Sequence, residues 1–390
     1  MTNSYFVAPR FKGPPGQEDL PYLLTPGPVT TSRAVKIAML GDHGTDDPEF
    51  RAMVTDLRRD LKRLAGADAS HECVLLPGPT AHAVEAVLAC IAPAKRKKTL
   101  VINSGRDGER AATMLATLER HVVKLDKPDG AALSAGEVAA ALDADSDISH
   151  VWLCHCETSS GLVNPLADIG KLLKERGKTL MVDASASFSA LPLDMVGDHI
   201  DALVTGPDAC LEGVPGFSII ILKREHLIAA AGKSHSTVHD LHAQWQSLEG
   251  DGHFRFTPPT HALVALRQAL RELEAEGGIG MRRARYQRNA EETITRMRAM
   301  GFTPLLADTE AGPIIQCFLS PRDTKWDFAM FQEGLRQRGY LICAGALARR
   351  PSFRIGSIGQ IDHRVIKAFA TVVEEVLKQL DVQEFTPPEV

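Results

Sequence analysis

The sequence predicts an α/β protein: a large domain over residues 21–275 built on a doubly wound, mostly parallel sheet, then a smaller α+β domain over 276–390, with an extended arm over 1–20 in front. Two observations carry this. Between residues 73 and 222 short apolar runs alternate with segments whose apolar residues recur at helical spacing, the βαβα rhythm of a parallel sheet covered on both faces. Near Thr260 that rhythm gives way to two long helices followed by strands and further helices, which suits a small α+β unit packed on the first. A chain of 390 residues is long enough to bury both cores.

Taken in order, residues 1–19 are rich in Pro and Gly and lack periodicity, hence the extended arm. In Tyr22-Leu-Leu-Thr-Pro-Gly-Pro-Val-Thr30 two prolines flank Gly27 and fix a rigid turn. An amphipathic helix with a basic outer face is expected over 50–64. Strands follow at 73–76, 99–103, 121–125, 150–154 and 179–182, with helices at 80–91, 108–118, 134–142 and 165–175 between them. The segment from Asp201 to Phe217 reads as a short buried strand, a polar turn and a second tight turn, Gly213-Val-Pro-Gly216, before the apolar run 217–222. The C-terminal part reads as helices over 260–276 and 280–300, strands over 302–306 and 313–319, a helix over 326–338, strands over 340–343 and 352–355, and a closing helix over 362–380.

Composition narrows the function classes. Lys and Arg number 44 against 49 Asp and Glu, and the only basic run, Lys95-Arg-Lys-Lys98, falls in a helix-to-strand loop, so no nucleic-acid partner is expected. Seven scattered cysteines, mostly inside apolar runs, read as reduced core thiols of a cytoplasmic protein. No apolar run reaches membrane length, so no membrane partner is expected either. Cys154-His155-Cys156 lies on a strand, where neighbours point to opposite faces, so His155 opposes both thiols and the trio is not expected to bind metal.

In a parallel sheet, ligands sit at the carboxyl ends of the strands. Asp183 stands there, and a carboxylate at the mouth of a buried strand is costly unless paired. The loops that share this edge carry Gly78-Pro79-Thr80-Ala81-His82, Gly105-Arg106-Asp107-Gly108-Glu109-Arg110, Glu157-Thr158-Ser159-Ser160-Gly161 and Gly206-Pro207-Asp208-Ala209-Cys210.

These motifs resemble those of the class V, fold type I pyridoxal phosphate (PLP) aminotransferases, and among them the 2-aminoethylphosphonate–pyruvate transaminases. The match covers nearly the whole chain in motif order, and Cys210 with Glu212-Gly-Val-Pro-Gly-Phe217 carries the closest part of it. The resemblance implies that Asp183 holds the pyridine nitrogen protonated, that Thr158 contacts the phenolic oxygen, and that Gly27 lines the substrate pocket. It assigns Thr80, Ser185 and Thr257 to the cofactor site, Thr257 lying in Phe254-Arg-Phe-Thr-Pro-Pro-Thr260, a segment that crosses to the neighbouring subunit of a homodimer. It gives Arg354, in Phe353-Arg-Ile-Gly-Ser-Ile-Gly359, the clamp on a substrate carboxylate, for which a planar guanidinium supplies a bidentate fork.

The departures are as specific. Ala209 stands where the family keeps its Schiff-base lysine. The family's Gly-Ser-Gly-Ser phosphate cup is replaced by Gly78-Pro79-Thr80-Ala81, the stacking aromatic by a charge in the loop 105–110, and a Tyr-Pro-Gly-Lys lysine by Cys343-Ala-Gly-Ala346. An alanine can neither form the internal aldimine nor carry a proton. The expectation is therefore a cleft with no PLP or a weakly held one. Catalytic candidates at its rim are His82, Asp107 and Asp208, beside Arg106 and Cys156. His82, Asp107 and Asp208 have metal-binding chemistry, but their spacing matches no metal motif, so no metal is expected. The expected function is a PLP-independent enzyme or pseudoenzyme that binds a small carboxylate or phosphonate, the alternative being a PLP-binding transaminase with weak or no turnover.

Overall fold

The computed structural model describes residues 20–94, 96–250 and 252–389, so the expected arm lies outside the described residues except for Leu20. The first half runs β1 (Tyr22–Leu23), α1 (Arg33–Ala38), α2 (Pro48–Leu64), β2 (His71–Pro77), α3 (Thr80–Ile91), β3 (Lys98–Asn103), α4 (Arg106–Thr117), β4 (Val122–Asp126), α5 (Ala135–Ala144), β5 (Ile148–Cys154), α6 (Leu166–Glu175), β6 (Thr179–Asp183), β7 (Ala202–Thr205) and β8 (Phe217–Lys223). Then come α7 (Arg224–Ala229), α8 (Leu241–Gly250), α9 (Thr260–Glu276), α10 (Gly278–Ala299), β9 (Ile315–Leu319), α11 (Phe328–Gln337), β10 (Tyr340–Leu341), β11 (Cys343–Ala344), β12 (Ser352–Gly356) and α12 (His363–Leu380).

Seven strands form the main sheet in the order β2-β8-β7-β6-β5-β3-β4. All neighbours are parallel except β8, which runs antiparallel to both β2 and β7. Helices cover both faces, which is why Leu100-Val-Ile102, Val151-Trp-Leu153 and Leu180-Met-Val182 are continuous apolar runs with no solvent-facing alternation. The consequence for function is positional: Pro77, Asn103, Cys154, Asp183 and Thr205 end their strands on one edge of the sheet.

Local signals start the helices. Asp47 caps α2 through Glu49 N with Pro48 in the first turn, Ser134 and Glu137 make a capping box on α5, and Asp362 caps α12. α4 is different: Gly105 precedes it and offers no side-chain cap.

A second core gathers Phe302, Phe318, Phe331, Phe353 and Phe369 of the C-terminal part, and Leu24 joins it. β1 pairs in parallel with β10, and β11-β12-β9 form a three-stranded antiparallel sheet. Two expectations change here. The strand expected over 302–306 is only an isolated bridge, Pro304 to Phe318, because Pro304 has no N–H to continue a ladder. The strand expected over 340–343 splits: Ile342 is buried in the second core, so β10 turns to β1 and β11 to β12. Among the described residues no helix is long and apolar enough to cross a membrane.

Candidate functional site

At the strand-end edge a cavity of about 200 Å³ is lined by Gly27, Thr80, Asp107, Asp183, Asp208 and Ala209, with Arg110, Cys154, Cys156, Thr158 and Ser185 completing the polar wall. The wall follows from how α4 begins. With no cap of its own, the helix takes one from the loop after β5: Asp107 N donates to Glu157 Oε1 at 2.9 Å, and Ser159 Oγ donates to the same oxygen at 3.0 Å. Gly105 makes this approach feasible, because a Cβ there would stand 2.6 Å from Glu157 Cγ. The contact turns Asp107 toward the cavity, where its Oδ2 accepts from Thr158 N at 3.0 Å and Thr158 Oγ1 at 2.5 Å.

Three acids, Asp107, Asp183 and Glu157, now stand close together with one cation, Arg110, beside them. Arg110 Nη2 is 2.9 Å from Asp107 Oδ1 and 3.9 Å from Asp183 Oδ2. Asp183 also accepts from Ser185 N at 2.9 Å and from the Ser185 hydroxyl. Burial and the neighbouring Asp107 push the Asp183 carboxyl upward, while Ser185 pulls it down. Glu157 is raised to about 8, first by burial and then by the charge of Asp107. Its Oε2 is buried without a hydrogen-bond partner.

The opposite wall is the loop after β7. Asp208 faces the cavity beside Thr80, since a Cβ at Gly206 would touch the side chains of both, and burial raises its carboxyl. Ala209 follows, packed near Gly27. The loop is pinned from behind by Glu212, which adopts φ 58°, accepts from Arg285 Nη2 at 2.7 Å and Tyr286 OH at 2.5 Å, and lies 3.7 Å from Arg282.

The remaining sequence candidates fall elsewhere. His82 is exposed and packs its ring against His239, 5.0 Å between centroids, outside the cavity lining. Arg106 is exposed and lines a neighbouring groove with Lys127 and Ala348. Thr257 is exposed on its loop and does not line the cavity. Arg354 lies beside the cavity, its Nε donating to Ala344 O at 3.0 Å and its Nη1 to Thr158 O at 2.7 Å. Cys154 and Cys156 both face the cavity whereas His155 is buried against Ser187 Oγ at 3.0 Å, the alternation expected of a strand. Sequence reasoning missed Arg110 and Glu157. The Asp107-to-Arg110 spacing of three on a helix signals the first; the second carries only a contact across fifty residues, which no local pattern marks.

The lining residues do not fit covalently held PLP. None of them is a lysine or an aromatic residue. Lys223 is paired with Asp201 at 2.6 Å, at the far end of β8 from the cavity. Buried Asp107 and the more exposed Arg110 place an ion pair against the cavity.

The profile of the class V aminotransferases ("Aminotransferase class-V") matches residues 43–358. The 2-aminoethylphosphonate–pyruvate transaminase of Rhizobium meliloti (strain 1021) is 43% identical over 369 residues, covering 94% of this chain and 96% of that protein. The enzyme of the same name from Pseudomonas aeruginosa is 38% identical, covering 94% of this chain and 99% of its own. Among solved structures, pyridoxamine-pyruvate aminotransferase from Mesorhizobium loti superposes with a TM-score of 0.84 at 23% identity over 94% of both chains. Aspartate aminotransferase of subgroup IV from Thermus thermophilus gives 0.82 at 22% over 92% of this chain and 99% of its own. At these identities the structural likeness establishes the fold.

Proposed function

Because the chain belongs to the class V aminotransferase family, we propose that it is a divergent relative of the 2-aminoethylphosphonate–pyruvate transaminases that works without a covalently held PLP and binds a small carboxylate or phosphonate. The observation that supports this is the cavity wall: Ala209, to which the resemblance assigns the family's lysine position, lines it, and no primary amine is among the lining residues. A transamination cycle needs that amine twice, as the cofactor's anchor and as the proton carrier. Arg354 is the proposed anion anchor. Among the described residues it has no carboxylate partner, and its donors are turned to main-chain oxygens at the rim. The ligand's acid group would take the remaining donors of the guanidinium.

A second reading has one observation in its favour. Asp183 and Ser185 keep the arrangement that would hold a pyridine nitrogen, with Thr158 and Thr80 nearby, so a PLP held by hydrogen bonds alone is the alternative. In either case we propose a cytoplasmic homodimer in which Thr257, exposed on its loop, serves the partner's cleft.

Isothermal calorimetry with pyruvate and with 2-aminoethylphosphonate tests the anchor. Loss of a charge-assisted hydrogen bond costs about 1.5–3 kcal/mol, so Arg354→Ala is expected to weaken binding by roughly tenfold or more. Unchanged affinity removes Arg354 from the site.

A further inference from the structure

We propose a second ligand site, remote from the cleft: a basic cavity at the opposite edge of the main sheet that takes the phosphate monoester of a small organic molecule. The cavity measures about 530 Å³ and is lined by Arg120, His150, His226, Lys233 and His235, with no carboxylate among its lining residues. A volume of that size suits a small molecule. The concentration of base is unexpected in a chain with 44 Lys and Arg against 49 Asp and Glu.

Topology separates this cavity from the cleft. His150 lies near the start of β5, whose last residue, Cys154, lines the cleft. At about 3.3 Å per strand residue the two stand roughly 13 Å apart. β8 runs against its neighbours and so ends at the far edge, where α7 follows it and brings His226. The loop after α7 adds Lys233 and His235, and Arg120 comes from the turn before β4.

The cations at this site are not used up by the protein. Arg120 Nη2 donates to Ala89 O at 2.9 Å, in the last turn of α3, but its Nε is buried with no hydrogen-bond partner. Among the described residues neither Arg120 nor Lys233 forms an ion pair. A buried guanidinium donor without an acceptor is unfavourable, and the oxygens of a phosphate match the guanidinium fork. His150 Nδ1 is bonded to Ser149 Oγ at 2.8 Å, which leaves Nε2 for a ligand. Burial and then the charge of His226 lower this imidazole to about 4, so at neutral pH it offers an uncharged N–H while Arg120 and Lys233 supply the charge. The nearby acids do not compete. Asp201 pairs with Lys223 at 2.6 Å and accepts from Leu180 N at 2.7 Å, Asp240 accepts from Ala243 N at 3.0 Å, and exposed Glu225 is outside the lining. One wall is apolar, made by Ile91, Ala92, Pro93 and Ala229. An ester sets its dianion against the basic side and its organic group against this wall, whereas free phosphate uses the basic side alone.

Calorimetry on the full-length Arg354→Ala chain, which lacks the proposed cleft anchor, tests the site with phenyl phosphate and with inorganic phosphate. The result is independent of what occupies the cleft. Phenyl phosphate is expected to bind at one equivalent per chain and more tightly than inorganic phosphate. A histidine ring-proton resonance that His150→Gln removes should shift as it binds. Adding Arg120→Ala should weaken binding by roughly tenfold or more, the loss expected for a charge-assisted hydrogen bond. Lys233 is exposed on its loop, so Lys233→Ala keeps the test open should Arg120→Ala fail to fold, and it too should weaken binding. No binding of phenyl phosphate, an affinity no better than that of inorganic phosphate, or an affinity that Lys233→Ala and Arg120→Ala leave unchanged overturns the proposal.

Discussion

Glu157 decides how the cleft responds to pH. Its carboxyl is raised to about 8 in the fold by burial and by Asp107, against an ordinary value near 4.3 when unfolded. The folded state therefore binds the extra proton between those values. The stability it contributes is complete below pH ~4 and is lost as pH rises toward 8. Thermal melts from pH 5 to 8.5 should show a midpoint that falls with pH by roughly a few degrees more in the native chain than in Glu157→Gln, which cannot ionise. Parallel curves contradict the assignment. A second residue-scale expectation concerns Ala209. On the proposed reading, a lysine placed there adds an amine but no phosphate cup or ring support, and Asp107 and Arg110 stay in place. Ala209→Lys alone should therefore retain no PLP colour after desalting. What the sequence shows at this scale is what strand ends and motif order can show: Asp107, Thr158, Asp183, Asp208 and Ala209 are all visible as strand-end residues, and all face one cavity. Glu157 and Cys154 are not legible as cleft chemistry, because their environment is made by α4 arriving from fifty residues earlier.

At the scale of elements, the loop that carries Ala209 is held by a buried network rather than by its own turn residues. Glu212, Arg282, Arg285, Tyr286 and Glu276 tie it to α10, and Arg285 reaches on to the Gly359 and Ile361 carbonyls. Glu212→Ala leaves two buried guanidinium groups short of charge, which costs about 3–5 kcal/mol. Urea unfolding should show that loss, and a change below 1 kcal/mol would place the loop's support elsewhere. Helix α6 gives a second test. Alanine normally gains about 1 kcal/mol over glycine inside a helix, yet a Cβ on Gly170 would lie 1.9 Å from the Asp198 carbonyl oxygen. Gly170→Ala should destabilise by about 1–3 kcal/mol despite better propensity. The βαβα rhythm is readable because the central strands β3, β5 and β6 are apolar on both faces. The strand over 302–306 and the single strand over 340–343 misled because the pattern shows apolarity, whereas Pro304 and the inward turn at Ile342 decide the hydrogen bonding.

For the whole molecule, the fold of the class V aminotransferases frames a cleft that is rich in acids and holds one guanidinium. The sequence revealed the scaffold because hundreds of residues share in it. The pocket's chemistry is set by a handful of contacts that only the folded chain brings together. Assembly belongs to this scale too: light scattering after size exclusion should give twice the 42.3 kDa of the chain, and a monomer at micromolar concentration would leave Thr257 with no partner cleft to serve. The most direct test of the central claim is intact mass after incubation with excess PLP, borohydride reduction and denaturing desalting. The account predicts the unmodified chain mass at the cleft, any adducts being confined to surface lysines. A stoichiometric phosphopyridoxyl adduct on one residue, blocked by pyruvate or 2-aminoethylphosphonate, would contradict it.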